Sequence, residues 1–442
     1  MIVSLLAAIA LPQSEVTKDL LKAGLADLGA YRMLEDLTGR VGPRLSGSPG
    51  AAKAVTWVEK RMRAMGFSNV QQVPCMVPHW VRGEVENGRI VSPKQALNLC
   101  ALGGSVATPK GGLTAQVVEV KSLDDATKLG DRAKGKIIFF NRPFDTSLPN
   151  TFGAYGGAND QRVRGASAAA AVGAVGVLVR SMTLAEDDEP HTGALRYTDG
   201  VKKIPAAALG IQTANRLSKA LKTNPSLKVS FTLSCQNLPD VPSANVIGEI
   251  IGSERPEEVI VMGGHLDSWD LGRGAHDDGA GVTQAMEALR LLKKLNLKPK
   301  RTIRVVAFMN EENGGRGAEA YAARVGKSSE IAYAAMESDS GGFMPRGFTV
   351  SEAKIETVKG WLAELRTFGV EDFAPGGGGA DVGPLAAYGA TLFGLRPENQ
   401  RYFDYHHSRN DTIDKVNARE LEFGAMAMAR LAWFISEEGL SN

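Results

Sequence analysis

The chain has 442 residues, and its 51 lysines and arginines nearly balance its 49 aspartates and glutamates, which gives a formal net charge of +2. This balance provides no global field that would attract nucleic acid or an anionic membrane. Hydrophobic residues make up 43% and charged residues 23% of the chain, as in ordinary globular proteins, and no apolar run reaches the ~18 residues of a membrane span. We expect a soluble protein of two or three domains.

The N-terminus and the cysteines bear on the cellular compartment. The apolar segment Ile2–Leu11 contains the small-x-small pattern Ala8-Ile9-Ala10, which favours a signal peptide over residues 1–13 and a secreted or periplasmic protein. No basic residue precedes this segment, so an apolar terminus of a cytoplasmic protein stays open. The three cysteines lie far apart without a C-x-x-C motif, which predicts neither a disulfide framework nor a cysteine metal site.

The first half of the chain contains two kinds of pattern. A helix is predicted between Pro49, a favoured first helical residue, and Gly66, a typical stop. Residues 100–239 have a different sequence pattern, in which apolar strands are predicted at 137–140 and 175–179 on either side of an alanine-rich stretch. We expect residues 100–239 to form a separate domain.

From residue 240 onward, strands alternate with helices in the rhythm of an α/β fold with a mostly parallel sheet flanked by helices. Open sheets of this class bind ligands beyond the carboxyl ends of their strands. Four predicted strands end in polar residues that could bind a metal ion. They are 259–262 before His265, 303–309 before Glu311 and Glu312, 331–336 before Glu337 and Asp339, and 391–395 before His406 and His407.

Two further carboxylates, Asp277 and Asp278, directly precede a predicted helix, whose N-terminal dipole favours negative charge. Alone, a strand-end histidine such as His265 is more typical of an ordinary hydrogen-bonded residue. Together, two imidazoles and several carboxylates from four strand ends suit two zinc ions better than one structural zinc, which would usually bind cysteine.

Five motifs follow one another along the chain: GGHLDSWD at 263–270, DDGAG at 277–281, NEEN at 310–313, ESDS at 337–340 and HHSRNDT at 406–412. In this order they resemble the di-zinc metallopeptidases of family M28, and the likeness is greatest to the carboxypeptidase Q type. The resemblance covers nearly all of the chain after Val16. It implies a zinc-peptidase catalytic domain, discontinuous over 14–99 and 240–442, with a β-rich α/β protease-associated domain inserted at 100–239.

The resemblance also implies roles for individual residues. Asp277 would bridge two Zn²⁺ ions, Glu311 would be the general base, and Asp267 would orient the imidazole of His265. Contacts with substrate are expected from His406 and from Gly378 and Asp381 in a glycine-rich loop. The five implied metal ligands are His265, Asp277, Glu312, Asp339 and His407.

The implied reaction is hydrolysis of short peptides or dipeptides with free termini, by a zinc-bound water that Glu311 activates. Three alternatives stay open: an aminopeptidase acting on longer peptides, a single-zinc cyclising acyltransferase of the same fold, and a non-catalytic receptor or scaffold of the same architecture. The expected partner is a peptide substrate, and a homodimer is expected because family members often form one.

Overall fold

The computed structural model describes residues 14–441, so the predicted signal segment 1–13 lies outside the described residues. Within residues 14–441, no helix combines the length and the apolarity needed to cross a membrane. The strands form two eight-stranded sheets. In chain order they are β1 (Ser68–Val81), β2 (Glu86–Ile90), β3 (Gln95–Leu97), β4 (Leu99–Ala101), β5 (Leu113–Val120), β6 (Ile137–Phe140), β7 (Gly176–Arg180), β8 (Ala206–Leu209), β9 (Lys228–Leu233), β10 (Gln236–Ile250), β11 (Arg255–His265), β12 (Arg301–Phe308), β13 (Ile331–Glu337), β14 (Pro345–Val350), β15 (Asp372–Pro375) and β16 (Thr391–Pro397).

Helices begin where the sequence supplies caps. The Ser48 side chain accepts a hydrogen bond from the amide of Ala51, and Pro49 occupies the first turn, so this predicted helix is confirmed. Asn417 caps the last helix in the same way. The α-helices are α1 (Glu15–Asp27), α2 (Gly29–Arg40), α3 (Pro49–Ala64), α4 (Leu123–Leu129), α5 (Thr151–Gly156), α6 (Asp160–Val163), α7 (Gly165–Ala171), α8 (Ile211–Thr223), α9 (Ala280–Lys294), α10 (Arg316–Val325), α11 (Glu352–Val358), α12 (Leu362–Leu365), α13 (Tyr402–Tyr405) and α14 (Ala418–Glu437).

The first sheet has the strand order β1-β10-β12-β11-β13-β16-β14-β15. Its four adjacent strands β12, β11, β13 and β16 are mutually parallel, and they are the four strands that the apolar runs predict. In the register, His265 lies opposite Phe308 and Gly263 opposite Glu337. The carboxyl ends of these strands therefore lie at one edge of the sheet, as the α/β prediction requires.

Helices α9 and α14 pack against this sheet and bury its central strands. Met262 and Val305 of the sheet and Leu289 and Leu431 of the two helices are all fully buried in one core. Burying a side chain of this size stabilises a fold by about 1.5–3 kcal/mol. The strand ends that carry the polar motifs are thus fixed to a rigid layer.

The second sheet has the order β3-β2-β9-β5-β6-β7-β8-β4, with β5 to β8 parallel. The chain leaves the first sheet through β1 and returns to it through β10, and these two strands pair antiparallel. We call residues 82–235, which lie between them, the inserted region. It includes β2 and β3, which precede the start predicted at residue 100. These two strands are short and largely exposed, so no apolar run marks them. Cys75, Cys100 and Cys235 are all free thiols.

Candidate metal centre and active site

Asp277 lies between two histidines, just before α9. One carboxylate oxygen, Oδ1, is 3.2 Å from Nε2 of His265, and the other, Oδ2, is 3.3 Å from Nε2 of His407. The two oxygens of one side chain therefore face two imidazoles. This is the arrangement that a bridging ligand requires.

Each imidazole also faces a second carboxylate. Nε2 of His265 is 3.5 Å from Oδ1 of Asp339, and Nε2 of His407 is 3.1 Å from Oε2 of Glu312. The five predicted ligands thus come together in two groups that share Asp277. We call His265 with Asp339 the His265 half, and His407 with Glu312 the His407 half.

This donor set fits zinc. Two donors that each bind a tetrahedral zinc at ~2.0–2.1 Å lie about 3.3 Å apart, close to the separations within both halves. Within residues 14–441, the buried oxygens Oδ2 of Asp277 and Oδ1 of Asp339 accept no hydrogen bond. Buried carboxylate oxygens without partners are costly unless a cation binds them.

The electrostatics of the cluster also indicate a cation. Burial raises the pKa of Glu312 well above its usual range, and the nearby charge of Asp277 adds to this shift. Burial likewise raises the pKa of Asp339 and raises that of Glu311 to about 7. For Asp277, burial opposes ionisation, but the adjacent imidazoles of His265 and His407 hold its pKa well below the usual range. So many crowded carboxyl groups ionise together only beside compensating positive charge.

Asp267 supports both His265 and the segment that carries Glu311. The backbone carbonyl of Asp267 is 2.9 Å from Nδ1 of His265 and fixes the ring so that Nε2 faces the ligands. Its carboxylate lies 3.9 Å from Nδ1 and instead accepts hydrogen bonds from the amides of Asn310 and Glu311. The orienting contact predicted for Asp267 is therefore made by its main chain.

Asp278 connects strand β11 to helix α9. Its Oδ2 accepts a hydrogen bond from the amide of His265, and its Oδ1 accepts one from the amide of Gly281 in the first turn of α9. A Cβ atom at Gly264 would overlap the Asp278 carboxylate, so only glycine fits there. The adjacent aspartates thus have different environments: Asp277 faces the histidines, while Asp278 fixes the backbone that holds His265.

The loop after β11 is held by an arginine from the N-terminal part of the chain. The Arg44 side chain is fully buried and donates to the carbonyls of Leu266, Arg273 and Gly274. Arg44 belongs to the GPRLSGSP segment at 42–49. This segment therefore supports the loop between the first two motifs without touching the ligands.

A cavity of about 310 Å³ opens beside the predicted metal ligands, and the inserted region forms one of its walls. The Arg162 side chain is buried there, and its Nη2 donates to the Tyr155 hydroxyl at 2.6 Å. Sequence reasoning did not identify these wall residues, because no spacing signal connects them to the motifs. The cavity is lined by Phe152, Tyr155, Arg162, Val163, Ala194, Arg196, Asp277, Glu311, Glu312, Asp339, Tyr402, Phe403, His406 and His407.

The three predicted substrate contacts have different positions. His406 lines the cavity and stacks on His407 with ring centroids 3.5 Å apart. Gly378 and Asp381 are not part of the cavity lining, and Asp381 is buried with its amide donating to Glu337 at 3.0 Å. The glycine-rich loop therefore packs against the end of strand β13.

Comparisons with known proteins agree with this architecture. The model of peptidase family M28 matches residues 245–432. Carboxypeptidase Q of Mus musculus is 36% identical over 415 residues, which cover 92% of this chain and 86% of that protein. The Homo sapiens carboxypeptidase Q is 34% identical over 418 residues, which cover 94% and 86%.

Solved structures extend the comparison. The crystal structure of a peptidase M28 precursor from Shewanella amazonensis has a TM-score of 0.91 at 36% identity and covers 96% of both chains. A zinc aminopeptidase from Bacillus subtilis, at 20% identity, shares the fold with a TM-score of 0.65 over 91% of this chain and 94% of that one. By sequence identity over most of its length and by fold, the chain belongs to peptidase family M28.

Proposed function

We propose that the chain is a di-zinc exopeptidase that hydrolyses dipeptides and other short peptides and binds their free C-terminal carboxylate. The observation that carries this proposal is the buried guanidinium of Arg162 in the cavity beside the metal ligands. In this proposal the inserted region is the protease-associated domain that the sequence predicts, and it supplies the carboxylate-binding group.

The hydrogen-bond donors of Arg162 are not all used. Nη2 donates to Tyr155, but the buried Nε has no partner among the described residues. Nη1 lies 3.5 Å from Nδ1 of His407. When Nε2 of His407 binds a metal ion, Nδ1 carries the ring proton and cannot accept from a guanidinium. A substrate carboxylate would satisfy the free donors of Arg162, because the planar guanidinium matches its two oxygens.

The size of the cavity supports a small substrate. About 310 Å³ is at the lower end of the ~300–1,000 Å³ typical of ligand sites. The exposed Arg196 adds a second positive charge at its lining. A short peptide can therefore place its carboxylate toward the inserted region while its peptide bond lies near the metal ligands.

The ligands and the base have distinct tasks in this proposal. The two halves, with Asp277 shared, would hold two zinc ions, which would supply a Lewis acid for the peptide carbonyl and lower the pKa of the attacking water. Glu311 lines the same cavity, and its amide is held by Asp267. Its carboxylate would accept the proton of the water and return it to the leaving amine. A carboxylate held in this position can make both transfers.

A substrate series combined with one variant tests the proposal. Unblocked dipeptides and N-blocked peptides with a free C-terminus should be hydrolysed, and amino-acid amides should not. Arg162→Leu should raise KM for the free-carboxylate substrates by about 10- to 100-fold, as expected from losing hydrogen bonds to a charged group. Arg164→Leu is the matched control, because Arg164 is exposed and lies outside the cavity lining. Efficient hydrolysis of amides with no effect of Arg162→Leu would instead indicate an aminopeptidase.

A further inference from the structure

The two halves of the metal centre are attached to the fold in different ways. In the His265 half, His265 is the last residue of β11, and Asp339 follows the end of β13 by two positions. In the His407 half, Glu312 lies four residues beyond β12, and His407 follows the short helix α13 with a left-handed φ of 62°. Non-glycine residues rarely adopt this conformation, so the backbone at His407 needs support from its surroundings.

The support for the His407 backbone comes from the inserted region. Nδ1 of His191 is 2.6 Å from the carbonyl oxygen of His406, and because this oxygen only accepts, the imidazole donates. The amide of Thr192 donates to the carbonyl of His407 at 2.9 Å. His191 and Thr192 are both buried. Two consecutive residues of the inserted region therefore bind two consecutive carbonyls of the ligand loop.

The same segment lies directly behind the His407 ring. At Gly193, where φ is +130°, an added Cβ would lie 2.7 Å from Nδ1 of His407. A metal-binding histidine usually donates its other ring N–H to a group in this position, which fixes the tautomer. The Thr192–Gly193 segment lies close to this nitrogen, and its Thr192 amide binds the His407 carbonyl.

The second ligand of the His407 half is also supported through the inserted region. Oε1 of Glu312 accepts a hydrogen bond from the amide of Trp269 at 3.0 Å, which leaves Oε2 facing His407. The indole of Trp269 is buried in the hydrophobic core of the inserted region, 6.4 Å from the ring of Trp80. A Cβ at Gly103 would overlap this indole. The position of the Trp269 amide thus depends on packing within the inserted region.

The His265 half has its support within the first sheet. The ring of His265 is held by the Asp267 carbonyl, and its amide donates to Asp278. Both residues belong to the segment between β11 and α9. Trp269 belongs to the same segment, so the two halves differ in the direct contact of the His407 loop with the inserted region and in the packing of the Trp269 indole in the core of that region.

We propose that the inserted region is a structural component of one metal position, in which His191, Thr192 and Trp269 are positioning residues for the His407 half. Weakening the contacts that these three residues make weakens metal binding at the His407 half and leaves metal binding at the His265 half unchanged. The inference rests on the two-metal centre of the proposed function. It adds that the inserted region sets the affinity of one of the two ions, separately from any contact with substrate.

Calorimetric titration of the metal-free protein with zinc chloride tests this inference without any substrate. The wild type should show two binding steps. His191→Leu removes the donor to the His406 carbonyl, so one step should weaken by about 10- to 100-fold while the other stays unchanged. His191→Asn keeps a side-chain N–H near the position of Nδ1 and should restore two tight steps. Ser105→Ala is the control, because it removes an equally buried hydrogen bond to the amide of Ala206 elsewhere in the inserted region.

Gly193→Ala is a second variant, which presses on the Arg162 guanidinium and on the His407 ring without removing a polar group, and in this substrate-free titration it should show the same selective loss. Thermal melting of each variant establishes that it is folded. Two tight steps in folded His191→Leu and Gly193→Ala, or equal weakening of both steps, would overturn the inference. A wild type that binds only one zinc ion per chain would instead overturn the two-zinc function on which the inference rests.

Discussion

The His265 half and the His407 half offer the same kinds of ligand atom to a metal ion, yet they are built from different parts of the molecule. His265 and Asp339 lie at or just beyond the ends of parallel strands of the first sheet, whereas His407 lies on a loop that contacts the inserted region, and Glu312 accepts from Trp269, whose indole packs in the core of that region. The first half needs only the fold of its own sheet. The second needs two regions to be assembled, so its geometry is the one that a distant change can alter.

The largest expected effect comes from the residue that the two halves share. In Asp277→Ala both imidazoles lose their common carboxylate, and the remaining pairs keep one carboxylate each. We expect zinc content to fall well below two ions per chain and peptide hydrolysis to be lost. His407→Ala should lose mainly one ion. Elemental analysis of the purified variants measures both, and equal zinc contents for Asp277→Ala and the wild type would show that Asp277 does not bridge.

A variant that leaves both halves intact separates metal binding from proton transfer. Glu311→Gln keeps the size of a side chain that lines the cavity but removes its basicity. Turnover should fall by at least ~10²–10⁴-fold, the usual contribution of a general base, while the zinc content stays at the wild-type level. Steady-state kinetics with an unblocked dipeptide provide the check. Turnover close to that of the wild type would contradict the role of Glu311.

The smallest expected effect concerns Glu422, a buried carboxyl group outside the two halves, whose substitution should change stability without changing zinc binding. Glu422 on α14 accepts a hydrogen bond from the amide of Ala30, and burial together with the charge of Glu287 raises its pKa to about 9. The folded state therefore holds a proton that the unfolded state releases above the ordinary value near 4.5. The stability that this group contributes is fully present below pH 4.5 and is lost as the pH rises toward 9.

Glu422→Gln removes this titration while keeping an acceptor for the amide of Ala30. We expect the variant to be more stable than the wild type at pH 8 by about 1–3 kcal/mol, with a smaller difference at pH 5. Urea unfolding at the two pH values measures this difference. Parallel pH profiles for the two proteins would mean that Glu422 is ionised in the fold.

The sequence predicts the first sheet well because its central strands are continuous apolar runs that end in polar motifs. The predicted domain start at residue 100 stays a prediction, and it differs from the start of the inserted region because β2 and β3 are short strands without an apolar run. The sequence also identified the five residues that the structure brings together, although their roles as ligands stay predictions. The motifs indicate these residues because four of them lie at or beyond the ends of strands of one sheet and Asp277 precedes helix α9, which packs on that sheet.

The supports of the ligands were not predicted, for a physical reason. His191 and His406 are separated by 215 positions, and Arg162 and His407 by 245. No local pattern encodes a contact between two regions that each fold around their own core. The role of Gly193 and Gly103 is visible only once their neighbours are known, because an added Cβ would overlap Arg162 and His407 at Gly193 and Trp269 at Gly103.

The most direct test of the central claim is a zinc titration of the metal-free wild type, followed by hydrolysis of an unblocked dipeptide after each addition. The account predicts that two ions bind per chain and that activity rises fully only as the second ion binds. Full activity with a single bound ion, or two bound ions without any hydrolysis of free peptides, would contradict it.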